Sequence, residues 1–275
     1  AHPLTAAVYN NLANLLRGKV LEGVRPASGS GGGSAEAPPS LMTISSGSSS
    51  GRNLSFGNSE RSLSERSLSF VAADAVATSR AASSEAFVEA LYRRAIAVRE
   101  QVLGSKSPAL AASLSNFSVL LMRRRTDVAI EEAERLLRRG LAIRQTVFGE
   151  EHPETASSYN LLGNLLFYQK GELDAAERLY QRALAIREVY YTRMSDRVGQ
   201  TLHNLASLAS KKGDYEKAER LSVECLQIRE RVTPLGHKDT MSTCKVLMSV
   251  YSKQGKLEDA RRIQRKLKAA EEERD

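Results

Sequence analysis

The sequence predicts an all-α fold, a right-handed superhelical solenoid of five antiparallel helix pairs. Three observations carry that reading. One segment of twelve residues recurs four times, a second segment recurs five times in alternation with it, and both show the 3.6-residue apolar spacing of helices buried along one face.

The first segment runs from Ala133 to Arg144 (AERLLRRGLAIR) and returns as Ala176 to Arg187 (AERLYQRALAIR) and Ala218 to Arg229 (AERLSVECLQIR), with a diverged copy at Val88 to Arg99 (VEALYRRAIAVR). Its closing arginines, Arg99, Arg144, Arg187 and Arg229, stand 45, 43 and 42 residues apart by subtraction. A fixed period in this range marks a solenoid.

The second segment is clearest where His152-Pro153-Glu154-Thr155-Ala156 leads into Tyr159-Asn160-Leu161-Leu162-Gly163-Asn164, and where His2-Pro3-Leu4-Thr5-Ala6 leads into Tyr9-Asn10-Asn11-Leu12-Ala13-Asn14. Weaker copies span 107–121, 195–209 and 237–251. Pro3, Pro108 and Pro153 suit the first helical turn, where a missing N–H costs no intrahelical bond. Gly171, Gly213 and Gly255 mark the turns within pairs.

Small residues at Ala13, Gly163, Ala206, Ala183 and Cys225 let the paired helices approach closely, and Leu and Tyr fill the space beside them. One pair cannot cover its own apolar face, so neighbouring pairs must stack. The last helix, about 256–272, ends in Lys266, Lys268, Glu271 and Glu272 and reads as a polar cap. The opening Ala1-His2-Pro3 lacks an initiator methionine, which suggests a processed or truncated start.

Composition divides the 275 residues unevenly. Residues 17–84 hold 18 serines and 9 of the 18 glycines, whereas the remainder is rich in Ala, Leu, Arg and Glu. Three regions follow: 2–16, the first helix of repeat 1; 17–84, a disordered Ser/Gly-rich insert; and 85–275, the rest of the array. Such an insert lengthens a turn of about 4 residues to about 67, four doublings, at about 2.4 kcal/mol of closure entropy. Ser28 to Ser34 is flexible linker, and no strand precedes it to make a phosphate loop. Arg-x-Leu-Ser occurs three times, ending at Ser55, Ser64 and Ser69. Arginine three residues before serine resembles the preference of basophilic kinases, so these serines are phosphorylation candidates.

The order Leu-Ala/Gly, Gly, Ala, Tyr-x-x-Ala within the period resembles the tetratricopeptide repeat. More narrowly, Leu179-Tyr180-x-Arg182-Ala183-Leu184-Ala185-Ile186-Arg187-Glu188, together with Phe148-Gly149-x-x-His152-Pro153-x-Thr155-Ala156, is similar to the long repeat of kinesin light chains. The resemblance covers about 200 residues and lies in the repeats, not in the coiled coil that joins that family to its motor. It implies a non-enzymatic scaffold whose first helices line a concave groove. The columns facing that groove would be Asn10, Ser115, Asn160, His203, Lys245 and Asn14, Val119, Asn164, Ser207, Ser249, with Asn11, Asn116 and Asn204 beside them.

Asparagine carries both donor and acceptor and can pair with the main chain of an extended peptide whatever its sequence. The expected partner is therefore a protein or peptide, an extended peptide or a partner helix in the groove, cargo-adaptor-like, and of acidic character because 40 basic against 32 acidic side chains leave +8. Two other readings stay open. A chaperone-recruiting adaptor would use a carboxylate clamp, but Asn10 stands where a lysine is expected. A basic RNA-binding solenoid has Arg93-Arg94, Arg123-Arg124-Arg125 and Arg138-Arg139, yet aromatics are only 5% and tryptophan is absent, which leaves poor platforms for bases.

Nothing in the residues calls for an enzyme, a cofactor, a metal or a small-molecule substrate. His2, His152 and His237 occupy equivalent positions before helices, and no pair of histidines has metal-ligand spacing. Cys225 and Cys244 read as buried reduced thiols, which points to a cytoplasmic compartment. No run of about 18 apolar residues suits a membrane span. The recurring arginines are read as structural, their charges at helix C-termini and their stems against the next repeat.

Overall fold

A computed structural model describes residues 6–14, 17, 85–232 and 236–272. The insert with Ser55, Ser64 and Ser69, the linker within it, and His2-Pro3 lie outside the described residues. All regular structure among the described residues is helical. The order is α1 (6–14), α2 (Glu85–Leu103), α3 (Pro108–Met122), α4 (Asp127–Phe148), α5 (Pro153–Leu165), α6 (Leu173–Tyr190), α7 (Asp196–Lys212), α8 (Tyr215–Val232), α9 (Lys238–Lys253) and α10 (Leu257–Glu272). Residue 17, which the sequence assigns to the insert, is helical and buried.

Helix starts follow the local chemistry. Pro108 and Pro153 occupy the first turns of α3 and α5. His152 and His237 act as N-caps, their Nδ1 atoms accepting from the backbone N–H of Glu154 at 3.1 Å and of Asp239 at 3.4 Å. Gly171, Gly213 and Gly255 have φ of 69°, 84° and 75°, the left-handed backbone in which a Cβ is disfavoured.

The third repeat is longer by one residue. From Asn164 to Gly171 is seven steps, whereas Ser207 to Gly213 and Ser249 to Gly255 are six each, by subtraction. A π turn at Leu166–Lys170 absorbs the extra residue, so the Gly171 N–H reaches back to the Leu166 carbonyl.

The described residues divide at the end of α4 into two compact units, one reaching Ile143 and the other starting at Arg144. In the first, Leu110, Ala111 and Leu114 of α3 pack on Ile143, with Ile96 and Leu136 against them. Tyr92 and Phe117 stack with ring centroids 5.8 Å apart. In the second, Val198 and Leu202 of α7 meet Cys225 and Ile228 of α8, and Leu226 joins Met241, Cys244, Leu247, Ile263 and Leu267.

The small-residue positions do what the sequence asks of them. A Cβ on Gly163 would lie 2.7 Å from Tyr180 Cε1. Cys225 is fully buried, and its thiol donates to the Gly199 carbonyl at 3.0 Å. Burial pushes the Cys225 thiol up, and pushes Cys244 up to about 11. Both are inert thiols in this setting. No described helix is long and apolar enough to cross a membrane.

Candidate functional site

The first helices of the pairs carry the asparagines. In α5, Asn160 and Asn164 stand one turn apart on one face, and Asn204 of α7 comes to lie between them. Asn204 Nδ2 donates to Asn160 Oδ1 at 3.1 Å and to Asn164 Oδ1 at 3.0 Å. From the second helix of the same pair, the Tyr180 hydroxyl donates to Asn164 Oδ1 at 2.8 Å. Asn160 and Asn204 are buried and Asn164 is half-buried. Burial, reinforced by Tyr168, pushes the Tyr180 hydroxyl well above its usual range, so it stays a donor.

These bonds run between the three carboxamides and, at Asn164, the Tyr180 hydroxyl. They occupy the oxygens of Asn160 and Asn164 and the nitrogen of Asn204. The Nδ2 groups of the first two and the Oδ1 of the third are not used by them: two donors and one acceptor on a fixed frame.

The first unit repeats part of this arrangement. Tyr92 donates to Asn14 Oδ1 at 2.5 Å, as Tyr180 does to Asn164. Burial raises the Tyr92 hydroxyl while nearby Arg17 opposes that shift. Arg17 is buried, and its Nη1 donates to the Asn116 carbonyl at 3.4 Å. Asn116 and Asn14 are half-buried and Asn11 is exposed.

Asn10 and His203 have a further engagement. Ser113 accepts from Arg99 and donates to Asn10 Oδ1 at 3.1 Å. Thr243 likewise accepts from Arg229, and its Oγ1 lies 3.3 Å from His203 Nδ1. Both column residues are thus tied to an arginine of their own repeat through a hydroxyl of the next. Burial, with Arg229 beside it, lowers His203 to about 3, so its ring is neutral. Lys245 is exposed on α9.

The arginine series has one geometry throughout. Arg99 Nη1 donates to the Ala109 carbonyl at 2.8 Å and to Ser113 Oγ. Arg144 Nη1 reaches Ser158 Oγ at 2.6 Å. Arg187 Nη1 reaches the Arg197 carbonyl at 2.8 Å and Thr201 Oγ1 at 2.7 Å, and Arg229 the Asp239 carbonyl and Thr243 Oγ1. The hydroxyl is always fourteen residues on, and Arg99, Arg187 and Arg229 also use a carbonyl ten residues on. Within the units, Arg99, Arg187 and Arg229 each bolt the second helix of one repeat to the first helix of the next. Burial lowers Arg99 and Arg144, and takes Arg187 to about 10. These side chains are turned away from solvent, with Arg187 only 2% exposed.

Sequence reasoning passed over Ser113, Ser158, Thr201 and Thr243, although a hydroxyl residue fourteen positions after each closing arginine is there to be read. It also passed over the pairing of tyrosine with asparagine: repeats 1 and 3 have Asn14 with Tyr92 and Asn164 with Tyr180, whereas repeat 2 has Val119 with Leu137 at the same two places. Among the described residues no group of His, Cys, Asp and Glu side chains forms a metal cluster.

The tetratricopeptide repeat family matches residues 129–188 and 198–239. No curated protein matches the chain. Among solved structures, a kinesin-light-chain-like protein of Podosopora anserina with nearly identical TPR-like repeats superposes with a TM-score of 0.56 at 18% identity, covering 73% of this chain and 93% of that one. A variant form of that same protein gives 0.58 at 19% identity over 80% and 100% of the two chains. BtubC (BKLC) from P. vanneervenii gives 0.60 at 24% identity over 68% and 73%. At such identities the likeness concerns the fold. Residues 129–188 and 198–239 are tetratricopeptide repeats, and the chain has the all-α repeat fold of kinesin-light-chain-like proteins.

Proposed function

We propose that this protein is a non-enzymatic scaffold that holds an extended peptide of a partner protein against the amide-bearing first helices. Tetratricopeptide arrays are protein-interaction scaffolds, and the reading here rests on one observation. Asn204 bridges Asn160 and Asn164 at 3.1 and 3.0 Å, leaving two amide donors and one acceptor outside those bonds. An extended main chain presents the complementary carbonyl and N–H groups, so orientation fixed in advance favours its binding. Asn10, Asn11, Asn14 and Asn116 form the corresponding set on α1 and α3 of the first unit. In the second unit, His203 and Lys245 add to the set on α7 and α9. Asn10 and His203 act as positioning groups, because their side chains are engaged by Ser113 and Thr243.

The excess of basic residues favours an acidic partner, and phosphorylation of Ser55, Ser64 or Ser69 would oppose it by adding negative charge beside the array. Reduced thiols and a cargo-adaptor role fit a cytoplasmic protein.

The test is affinity selection of peptides on the array, followed by titration of a selected peptide. Asn160→Ala with Asn164→Ala is expected to weaken binding at least tenfold while the helical circular dichroism is retained. Unchanged affinity would remove both residues from the site. Blocking the peptide C-terminus leaves binding intact on this reading and abolishes it for a carboxylate clamp. A steep loss of affinity with salt, together with indifference to the two asparagines, would mark RNA binding instead.

A further inference from the structure

The turn between α3 and α4 in the first unit differs from its counterparts. Where the other described pairs place Gly171, Gly213 or Gly255 in the left-handed region, this turn reads Arg123-Arg124-Arg125-Thr126 and places Arg125 there, with φ 52°. It is the one non-glycine residue with positive φ among the described residues. A side chain with a Cβ is costly in that conformation, and glycine is the residue its neighbours use. Strain of this kind at a surface turn points to a job for the side chain.

The three guanidinium groups are in unlike situations. Arg124 is met by carboxylates, with Glu89 Oε2 at 2.5 Å and Glu85 Oε2 at 3.6 Å. The Arg123 side chain is half-buried, and its Nη1 is enclosed without a hydrogen-bond acceptor. Arg125 is exposed and makes no ion pair among the described residues. Thr126 beside them caps α4, its Oγ1 accepting from the Ala129 N–H at 3.4 Å. An enclosed guanidinium nitrogen without an acceptor is unfavourable, and swinging Arg123 outward onto an anion relieves it.

We infer that the Arg123, Arg124 and Arg125 turn is a binding site for a phosphate monoester. A phosphate dianion offers three oxygens to forked donors, which a single carboxylate cannot match. The phosphate has two sources. One is the chain's own Arg-x-Leu-Ser tract, a source that rests on the phosphorylation proposed above. That tract runs toward Glu85, itself a partner of Arg124, and Ser69 is sixteen residues from Glu85 by subtraction. Sixteen residues span up to about 55 Å when extended. The other source is a phosphoserine on another protein. Neither involves the amide face, so the turn and the proposed groove are separable.

The experiment uses the full unphosphorylated chain and a synthetic peptide of residues 59–72 carrying phosphoserine at Ser64 and Ser69, with its unphosphorylated form and a glutamate-substituted form as controls. The phosphopeptide is expected to bind at least tenfold more tightly than either control. Arg125→Gly is expected to remove most of that preference while raising the melting temperature, because it relieves the backbone and deletes the guanidinium together. Arg123→Gln is expected to weaken binding tenfold as well. Equal binding of all three peptides, or a phosphate preference that survives both variants, overturns the site. Phosphorylating Ser64 and Ser69 of the full chain assigns the source. Lost capture of added phosphopeptide means that the chain's own tract fills the turn, and undiminished capture means that the phosphate comes from another protein; both results stand on a site already demonstrated with the unmodified chain. The Asn160 and Asn164 double variant should keep its phosphopeptide affinity.

Discussion

Arg187 Nη1 lies 2.7 Å from Thr201 Oγ1, fourteen residues further along the chain and in the next repeat. The same interval links Arg99 to Ser113, Arg144 to Ser158 and Arg229 to Thr243. A buried charged donor on a neutral hydroxyl is a stronger bond than one between neutral groups. Replacing Thr201 by Val keeps the shape and removes the acceptor. We expect Thr201→Val to destabilise the second unit by about 1–2 kcal/mol, while Arg187 keeps its bond to the Arg197 carbonyl. Native-state hydrogen exchange of amides in α6 and α7 reads this locally, which suits a repeat array better than one global melting curve.

Gly163 is fixed by Tyr180. A methyl group there would meet the tyrosine ring at 2.7 Å and drive it off Asn164. Alanine gains about 1 kcal/mol in helix propensity, but overpacking a tight site costs about 1–3 kcal/mol. Gly163→Ala is expected to be net destabilising by up to about 2 kcal/mol, measured by urea denaturation. A stabilised variant would show that the ring can move freely.

Tyr180→Phe isolates the hydroxyl. It leaves Asn164 Oδ1 with Asn204 Nδ2 alone, at a cost of about 1 kcal/mol. If the amide frame receives peptide, affinity for a selected peptide falls in step with it, whereas stability alone changes if the frame serves only packing. Titration calorimetry on the variant separates the two.

His203 makes the second unit sensitive to acid. Its imidazole sits at about 3 in the folded chain, against about 6.5 when unfolded. Between those values the unfolded chain takes up a proton that the folded chain refuses, so stability falls as pH drops from about 6.5 toward 3. The slope is at most about 1.4 kcal/mol per pH unit. Denaturation midpoints at pH 6.5 and pH 5, above the range where the carboxylates of Glu177 and Glu219 titrate, are expected to show the loss. His203→Gln is expected to flatten it.

The two thiols supply a control on burial. Cys225 and Cys244 are both buried, and burial holds both up, Cys244 to about 11. A disulfide reagent at neutral pH should therefore modify them only on unfolding. Rapid labelling of either in the native chain would contradict the packing of α8 on α9.

Local patterns in the sequence determined a good deal. The helices, their pairing, the glycine turns and the small residues at the pair contacts follow from apolar spacing, turn chemistry and residue size within a period of about 42 residues. These are short-range signals, and each repeat prints them again. Three things were decided only by the tertiary structure. Asn204 meets Asn160 and Asn164 across 44 and 40 residues, and no local pattern says which side of a carboxamide will face which neighbour. The arginines at the ends of second helices became bolts, because stacking brings a hydroxyl and a carbonyl of the next repeat to a charge that would otherwise be buried without acceptors. The extra residue of the third repeat became a π turn rather than a longer loop, because Gly171 must still reach the left-handed position that ends the helix. For the asparagines and the arginines the partner is set by how one helix pair rests on the next, a property of packing that period and composition do not encode.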